Sequence, residues 1–321
     1  MKQVSKKGIK EKLKDVNQFK IDENIDIIAL INHLKDTGFN AKRLALACEI
    51  YKKMIEDDNC VKFFGLAGAM VPAGMQGIIH GFIEQGFIDI LVTTGANLTH
   101  DIAETLGYHH LQGDLTAQEM NDRDFHNIQM NRIYDVFLPN NVYEGIEDFV
   151  SQLKIPENTM PVSEFLKYLG KQLPPNKNSI LKICAEKKVP IFCPAFTDSG
   201  LALQLGFHHQ NLNLNHFKDM LQMVNIAWDS KKAGVCIVGG GTPKNFIMQS
   251  LQFCPNSANY AIQITMDRPE PGGLSGASLN EAISWGKINE KAIFSTVISD
   301  ATIALPIIFW YLKKSVKETE R

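Results

Sequence analysis

Short apolar runs rich in β-branched residues alternate along this chain with longer amphipathic segments, and this alternation most restricts its possible folds. The runs predict six strands: Val61–Leu66, Ile88–Thr93, Pro190–Pro194, Gly234–Val238, Tyr260–Thr265 and Ile293–Ile298. Several are apolar throughout, as expected for strands buried on both faces. The sequence therefore predicts an α/β fold, a Rossmann-like parallel sheet of about six or more strands flanked by helices on both faces.

Amphipathic segments between these runs predict the helices. They are Ala41–Glu56, Met75–Glu84, Leu98–Leu106, Val162–Gln172, Ile180–Lys187, Leu214–Trp228 and Lys244–Leu251. Residues 1–25 are charged and weakly periodic, which indicates a helical N-terminal extension. The polar region Gln112–Pro161 is typical of an elaborated connection between elements. We therefore predict one α/β domain over residues 26–321.

Composition excludes several classes of protein. The chain is 45% hydrophobic and 21% charged, which is typical of a globular protein rather than a disordered one. A formal charge of -2 argues against a nucleic-acid partner held by bulk electrostatics. The six cysteines are scattered without a C-x-x-C pair and are expected to be reduced core residues. The lysine-rich N-terminus lacks the apolar segment of a secretory signal, so we expect a cytoplasmic location.

Neither a membrane span nor a metal site is expected. The apolar stretch Ala292–Leu312 carries Asp300 near its middle, and a charge at the bilayer centre costs about 3 kcal/mol. A buried strand followed by a helix beginning near Asp300 accounts for the same residues. The adjacent pairs His109-His110 and His208-His209 point their side chains in different directions, so they are poorly placed to chelate one metal ion together.

Three glycine-bearing junctions follow predicted strands, at residues 65–74, 93–97 and 239–243. In an open α/β sheet, nucleotides bind in the crevice beyond the carboxyl ends of the strands. Small residues there let the backbone approach a phosphate, and the helix that follows offers free N–H groups. Each junction alone is equally typical of a simple turn or helix cap. Neither a G-x-G-x-x-G motif nor a P-loop is present, which argues against an ordinary Rossmann dehydrogenase and an NTPase.

Lys287 lies in a segment that suits amine chemistry. A lysine attacks a carbonyl or imine carbon only when it is unprotonated, and burial against Trp285 would favour that form. Glu281 would oppose the shift while attracting a cationic amine substrate. The alternative is a surface lysine that follows a helix-ending glycine, with Trp285 in the core.

The segment from Glu281 to Ile288 resembles the active-site segment of deoxyhypusine synthases, and the resemblance extends from about Phe63 to the end of the chain. The other matching stretches are Phe63-Phe64-Gly65, Asp89–Thr94, Pro190–Asp198, Gly239-Gly240-Gly241, Ser275-Gly276-Ala277 and Asp300-Ala301. The resemblance implies an NAD-dependent aminobutyltransferase of the alkyl-transferase class. Its polyamine substrate, spermidine or putrescine, is oxidised, and Lys287 carries the aminobutyl group as an imine. The resemblance further implies a translation-factor lysine as the acceptor and a homotetramer with active sites at dimer interfaces.

The resemblance also implies the roles of individual residues. Lys287 is the catalytic residue. The residues that would contact NAD are Gly68, Thr94, Gly95, Ala96, Asp198, Gly240, Asp300 and Ala301. The residues that would contact the polyamine are His100, Asn245, Asp267, Glu270, Gly272, Ser275, Glu281 and Trp285. Asp198 suits the ribose hydroxyls, although the cap of the following helix would need the same carboxylate.

Departures from the family pattern affect the amine anchors. Leu203 and Leu274 stand where the pattern has aspartates, and Asn245 stands where it has histidine. Thr99 and His100 replace a glutamate pair. Because a leucine cannot anchor an ammonium, either the amine is held elsewhere or the substrate differs in length or charge.

Replacement carboxylates from Asp267 and Glu270 are one hypothesis for these lost anchors. Three alternatives for function stay open. One is a homospermidine synthase-like enzyme with putrescine or agmatine as acceptor. The others are a catalytically inactive NAD-binding scaffold and an ordinary amine dehydrogenase, which would release NADH.

Overall fold

A parallel β-sheet forms the centre of the molecule in a computed structural model that describes residues 13–113, 121–156, 158–175 and 178–316. In chain order the described strands are β1 (Cys60–Leu66), β2 (Ile90–Thr93), β3 (Leu111–Gln112), β4 (Met130–Ile133), β5 (Val136–Pro139), β6 (Ile191–Phe192), β7 (Lys232–Val238), β8 (Ala258–Thr265) and β9 (Ile288–Ile298). The central sheet has the order β6-β2-β1-β7-β8-β9, and every neighbouring pair is parallel. All six predicted strands are present in it.

The strand order is that of a doubly wound nucleotide-binding sheet. Counted along the central sheet alone, the strands lie in the order 3-2-1-4-5-6, which reverses direction between β1 and β7. Leu66 pairs with Val238 at the carboxyl ends of these two strands. A ligand crevice is expected at this point because the connections that follow the two strands go to opposite faces of the sheet. The predicted α/β fold is confirmed.

Helices cover both faces of the sheet. Those described are α1 (Ile27–Lys35), α2 (Phe39–Glu56), α3 (Gln76–Glu84), α4 (Gly95–Leu106), α5 (Asp122–Asn127), α6 (Asn141–Ser151), α7 (Val162–Gln172), α8 (Ile180–Lys187), α9 (Gly200–His208), α10 (His216–Asp229), α11 (Gly241–Gln252), α12 (Leu279–Ser284) and α13 (Ala301–Ser315). Successive strand side chains point to opposite faces. Phe64 accordingly packs with α2, α3 and α13, whereas Phe63 packs with α10 and α11.

The regions outside the central sheet differ from the sequence prediction. Residues 13–26 contain no helix, and residues 1–12 lie outside the described part, so the predicted helical extension is not found where it is tested. Helix α1 instead belongs to the core, with Ile27 and Ile31 buried. The polar connection is more regular than expected, because it contains α5, α6 and the small antiparallel sheet β3-β5-β4. Its strands are too short to show a clear alternation in the sequence.

The lengths of the described helices and the state of the cysteines bear on two further expectations. None of these helices combines the length and apolar character that crossing a membrane requires. All six cysteines are free, and five of them are buried.

Asp101 joins three helices through one buried carboxylate. Its oxygens accept hydrogen bonds from Ser179 Oγ at 2.7 Å, from the backbone nitrogens of Ile180 at 2.8 Å and Leu181 at 2.9 Å, and from Gln76 Nε2 at 2.8 Å. Burial raises the pKa of Asp101, and these bonds oppose that rise by stabilising the charged form. The carboxylate thereby positions α4, whose N-terminus faces the crevice, against α3 and α8.

We expect Asp101→Ala to lower the free energy of unfolding by about 3 kcal/mol, because it leaves several buried donors without an acceptor. Urea denaturation followed by circular dichroism measures the change. Asp148→Ala, at an exposed position in α6, is the matched control and should change stability little. Equal midpoints for the two variants would contradict the anchoring role.

Candidate active site

The first and third glycine junctions meet at the carboxyl ends of β1 and β7. Ala67 N donates to Val238 O at 3.0 Å, and a Cβ on Gly239 would lie 3.4 Å from Ala67 Cβ. Gly68 and Gly239 have φ values of 77° and 72°, a left-handed conformation that favours glycine. The two turns therefore lie side by side at the point where the strand order reverses.

The second junction joins the same edge. Thr94 caps α4 by accepting a bond from Asn97 N, while Asn97 Oδ1 accepts one from Val71 N at 3.3 Å. Gly95 is buried, and a Cβ there would lie 2.5 Å from Ser199 Cβ. Only a glycine lets the turn after β6 approach so closely. That turn carries Asp198, so the structure brings Thr94, Gly95, Ala96 and Asp198 to one place.

Of the two aspartates expected to contact NAD, Asp198 and Asp300, only Asp300 caps a helix. Ser199, rather than Asp198, caps α9 by accepting a bond from Ala202 N at 3.2 Å. The alternative role of Asp198 as a cap is therefore wrong, and its exposed carboxylate is not used in that way. Asp300 is different, because it caps α13 through bonds from Thr302 N and Thr302 Oγ1, both at 2.7 Å and both to Oδ1. Ala301 begins that helix.

Lys287 lies in a cleft of about 130 Å³ between α11, α12 and the loop before α12. The described residues that line the cleft are Lys244, Asn245, Met248, Leu274, Ala277, Ser278, Glu281, Ala282, Trp285 and Lys287. Lys287 Nζ is 5.2 Å from the centroid of the Trp285 ring, a cation–π distance. Trp285 is 57% exposed, so neither its expected burial of Lys287 nor the alternative of a core tryptophan is found in the single chain.

Lys287 lies at the amino edge of the sheet. Lys287 directly precedes β9, and Lys287 O accepts a bond from Ala258 N at the amino end of β8. The glycine turns lie at the opposite, carboxyl edge. Leu274 and Ala277 also line the cleft. Ser275, which lies between them in the chain, packs on Gly240, since a Cβ added to Gly240 would lie 2.3 Å from Ser275 Cα.

Residues 272–278 therefore form the wall that separates the cleft from the glycine turns, and we call this segment the wall loop. Ser275 Oγ donates to Asp267, and Thr265 Oγ1 donates to Ser275 O at 3.2 Å. Asp267 thus holds the wall loop, and neither it nor Glu270 or Gly272 lines the cleft among the described residues. The hypothesis that these carboxylates replace the lost anchors gains no support from the cleft.

Two residues that sequence reasoning missed organise this region. Lys244 is 4% exposed, and its Nζ donates to Gln263 Oε1 at 3.1 Å, to Leu274 O at 2.9 Å and to Ala277 O at 2.6 Å. Gln263 is fully buried and donates to Gly239 O at 3.1 Å and to Ser275 O at 2.8 Å. A lone glutamine inside an apolar strand was the available signal, because a buried amide requires partners.

Burial lowers the pKa of Lys244 to about 8. That value includes the attraction of Glu281, which raises the pKa, and the smaller repulsion by Lys287, which lowers it. The cleft therefore contains two lysines and a single carboxylate among its described lining residues.

Comparisons with known proteins agree on one family. The deoxyhypusine synthase family model matches residues 29–312. A Methanosarcina acetivorans protein named probable deoxyhypusine synthase 1 is 45% identical over 90% of this chain and 91% of the relative. The chain belongs to the deoxyhypusine synthase family. It is therefore a transferase of aminobutyl groups, as the sequence resemblance implied.

Further relatives extend the deoxyhypusine synthase comparison. An Archaeoglobus fulgidus protein, also named probable deoxyhypusine synthase 1, is 41% identical over 91% of this chain and 95% of the relative. A Chlorobaculum tepidum protein named deoxyhypusine synthase-like is 31% identical over 89% of this chain and 86% of the relative. The solved structure of a candidate deoxyhypusine synthase from Entamoeba histolytica aligns with a TM-score of 0.64 and 19% identity, over 94% of this chain and 98% of that one. That last likeness concerns the fold.

Three positions that depart from the deoxyhypusine synthase pattern, Leu203, Asn245 and Leu274, supply no carboxylate to the cleft. Leu274 is 38% exposed at the cleft, whereas Leu203 is 58% exposed on α9 and does not line it. Asn245 Nδ2 donates to Gln249 Oε1 at 3.1 Å, so its amide is engaged on α11. Among the described lining residues, Glu281 is left as the only carboxylate for an ammonium.

His100, at the site of the replaced glutamate pair, begins a hydrogen-bonded chain. Its Nδ1 lies 2.8 Å from His110 Nε2, and His110 Nδ1 lies 2.6 Å from Glu104 Oε1. Burial and then His110 lower the pKa of His100 to about 4 against the attraction of Glu104. Burial raises the pKa of Glu104, but bonds from His110 and His109 outweigh it and lower the value to about 2. His100 is therefore neutral near pH 7 and does not line the Lys287 cleft.

No group of three or more histidine, cysteine, aspartate or glutamate side chains is arranged for a metal ion within the described ranges. The histidine pairs instead have protein partners. His208 Nε2 lies 3.0 Å from Glu147 Oε1, and His209 Nε2 lies 2.8 Å from Val150 O.

We expect Gly240→Ala to lower the free energy of unfolding by about 1–3 kcal/mol, because its Cβ would overlap the Ser275 backbone. Gly206→Ala is the matched control, since a Cβ there meets nothing within 4 Å and α9 should gain about 0.5–1 kcal/mol. Urea denaturation of both variants measures the difference. Similar stabilities would show that the wall loop does not depend on close packing at Gly240.

We expect the free energy of unfolding to fall by about 2 kcal/mol between pH 6.5 and 4 on account of His100. Its pKa in the folded state, about 4, is below that of an unfolded histidine, so the unfolded chain takes up the proton first as the pH falls. Urea denaturation at several pH values should show this decline flattened in His100→Gln. The exposed His126→Gln variant should retain it, and a decline of the same size in both variants would contradict the assignment.

Proposed function

We propose that this chain is an NAD-dependent aminobutyltransferase that oxidises a polyamine and carries the aminobutyl group as an imine on Lys287. The observation that supports this most directly is the cleft itself, in which Lys287, Trp285 and Glu281 lie together. The cleft reaches Leu274 and Ala277, and the residue between them packs on Gly240 at the nucleotide-binding edge of the sheet. The proposed amine site and the proposed dinucleotide site would therefore share the wall loop.

The residues at that edge fit NAD. Gly95 and Gly240 have no room for a side chain, so the backbone itself forms the surface that a dinucleotide would approach. The N-termini of α4 and α11 offer N–H groups for the pyrophosphate. The exposed Asp198 beside Gly95 suits ribose hydroxyls, and Gly68, Thr94, Ala96, Asp300 and Ala301 complete the proposed set. NAD, when bound, would accept a hydride from the amine-bearing carbon and return it to the final imine.

The residues of the cleft have distinct tasks in this proposal. Glu281 attracts an ammonium of the substrate, and the Trp285 face stacks on its aliphatic chain. Lys287 Nζ adds to the oxidised carbon, and the original amine leaves, so that a new C–N bond replaces the old one. The acceptor amine then displaces Lys287 by the same exchange. The reaction transfers an aminobutyl group with no net redox change.

Two classes of acceptor fit this chemistry. A lysine of a translation-factor precursor, giving deoxyhypusine, agrees with the names of the relatives. Putrescine or agmatine is favoured by the cleft, because Glu281 is its only described carboxylate and Leu274 replaces an anchor. Two lysines and one carboxylate disfavour a substrate with several ammonium groups. A homospermidine synthase-like activity is therefore the second candidate.

Assembly would complete the site. Trp285 is half-exposed above Lys287, and α9 and α10 expose the large apolar side chains of Leu203, Phe207, Phe217, Leu221 and Trp228. Contiguous exposed apolar surface typically marks a protein interface. These features support a homotetramer with active sites at dimer interfaces. We propose that residues 26–321 form one NAD-binding catalytic domain of a cytoplasmic protein, and the six free cysteines suit a reducing compartment.

Incubation of the protein with NAD and putrescine or spermidine, followed by borohydride, should add an aminobutyl mass to the peptide that contains Lys287. Lys287→Arg should abolish the adduct, because a guanidinium does not form the imine. Lys291→Arg, at an exposed position on β9, should retain it. Peptide mass spectrometry measures all three proteins.

Other outcomes of this experiment would select the alternatives. NADH released in proportion to the amine consumed would indicate an amine dehydrogenase. NAD binding without an adduct from any polyamine would indicate a scaffold or another substrate. Reaction products formed with putrescine and with a translation-factor precursor would identify the acceptor.

A further inference from the structure

The wall loop is held from two directions by buried side chains. On one side Lys244 Nζ donates to the carbonyl oxygens of Leu274 and Ala277, and on the other Gln263 Nε2 donates to that of Ser275. The two side chains also bond to each other at 3.1 Å. Three main-chain carbonyls of the wall loop, those of Leu274, Ser275 and Ala277, therefore depend on one buried pair.

The same pair reaches the glycine turn. Gln263 Nε2 donates to Gly239 O at 3.1 Å, and Lys244 N donates to Gly240 O at 3.3 Å in the first turn of α11. Ser275 meanwhile packs directly on Gly240. A displacement of the turn therefore cannot leave the wall loop unchanged, because close-packed groups transmit small shifts.

Lys244 performs this role as a charged group. An ammonium has three N–H donors, and all three are used by Gln263, Leu274 and Ala277. The charged groups that act on it are Glu281 on α12, which attracts it, and Lys287, which repels it. Its side chain forms part of the cleft lining without a free donor to offer a substrate.

We propose that Lys244 is a positioning residue that couples NAD binding at the Gly239–Gly241 turn to amine binding in the Lys287 cleft. The inference rests on the proposed function and concerns how its two sites communicate. A nucleotide on the turn fixes Gly239 and Gly240, and the Lys244–Gln263 pair then fixes the wall loop in the position that closes the cleft around the amine. Each ligand thereby increases the affinity of the other by the same factor.

Calorimetric titration of the full-length protein with NAD, with and without saturating putrescine, measures this coupling. We expect putrescine to lower the wild-type NAD dissociation constant at least about fivefold. Lys244→Met retains the length of the side chain and removes its donors. The ratio of the NAD dissociation constant without putrescine to that with putrescine should therefore approach one. NAD binding in the absence of putrescine should stay within about threefold of the wild type. A side chain needed only for folding would change both affinities without removing their dependence on each other.

Lys182→Met is the matched control. Lys182 Nζ also donates to a main-chain carbonyl, that of Leu173 at 3.0 Å, but it links α8 to the end of α7 far from the wall loop in the fold. Its variant should keep the wild-type ratio.

Thr265→Val provides a milder second variant, because it removes one hydroxyl bond to Ser275 with little change in shape. We expect it to reduce the ratio partly, and it decides the question if Lys244→Met does not fold. An unchanged ratio in the folded variants, or wild-type binding of both ligands without coupling, would overturn this inference alone. Failure of the wild-type protein to bind either ligand would overturn the proposed function together with it.

Discussion

The pairing of β1 with β7 is the contact on which the rest of the structure depends. It joins strands from distant parts of the chain in register from Cys60 with Lys232 to Leu66 with Val238. The strand order reverses at this pair, so the connections on either side go to opposite faces of the sheet. The glycine turns after these strands consequently meet above the crevice, and α4 and α11 direct their N-termini toward it.

The Lys287 cleft is joined to this edge by the wall loop, which buried polar groups hold. Gln263 and Lys244 are buried, and each bond that they make satisfies a group that would otherwise be costly to bury. A satisfied buried network tends to specify one arrangement of the groups it joins. Here it specifies the position of the wall loop, which belongs to both proposed sites.

This chain has fewer carboxylates around the Lys287 cleft than the pattern of its family. The cleft contains Glu281 as its only described carboxylate, and Leu274 stands where an aspartate would anchor an ammonium. His100, in place of a glutamate, is neutral near pH 7 because its buried ring is penalised for holding a proton. These changes leave the proposed nucleophile, Lys287, and the glycine turns in place while reducing the negative charge available to the proposed amine substrate. The reaction class and the choice of amine can therefore vary separately.

The sequence alone determined the six central strands, most of the helices and the three glycine turns, because hydrophobic periodicity and turn chemistry are local. It also identified Lys287, Trp285 and Glu281 through a contiguous motif. Only the tertiary structure decided that Asp267 holds the wall loop, that Ser199 rather than Asp198 caps α9, and that Lys244 and Gln263 join the wall loop to the glycine turn. These roles depend on contacts between residues far apart in the chain, and such contacts exist only after the sheet has brought its strands together.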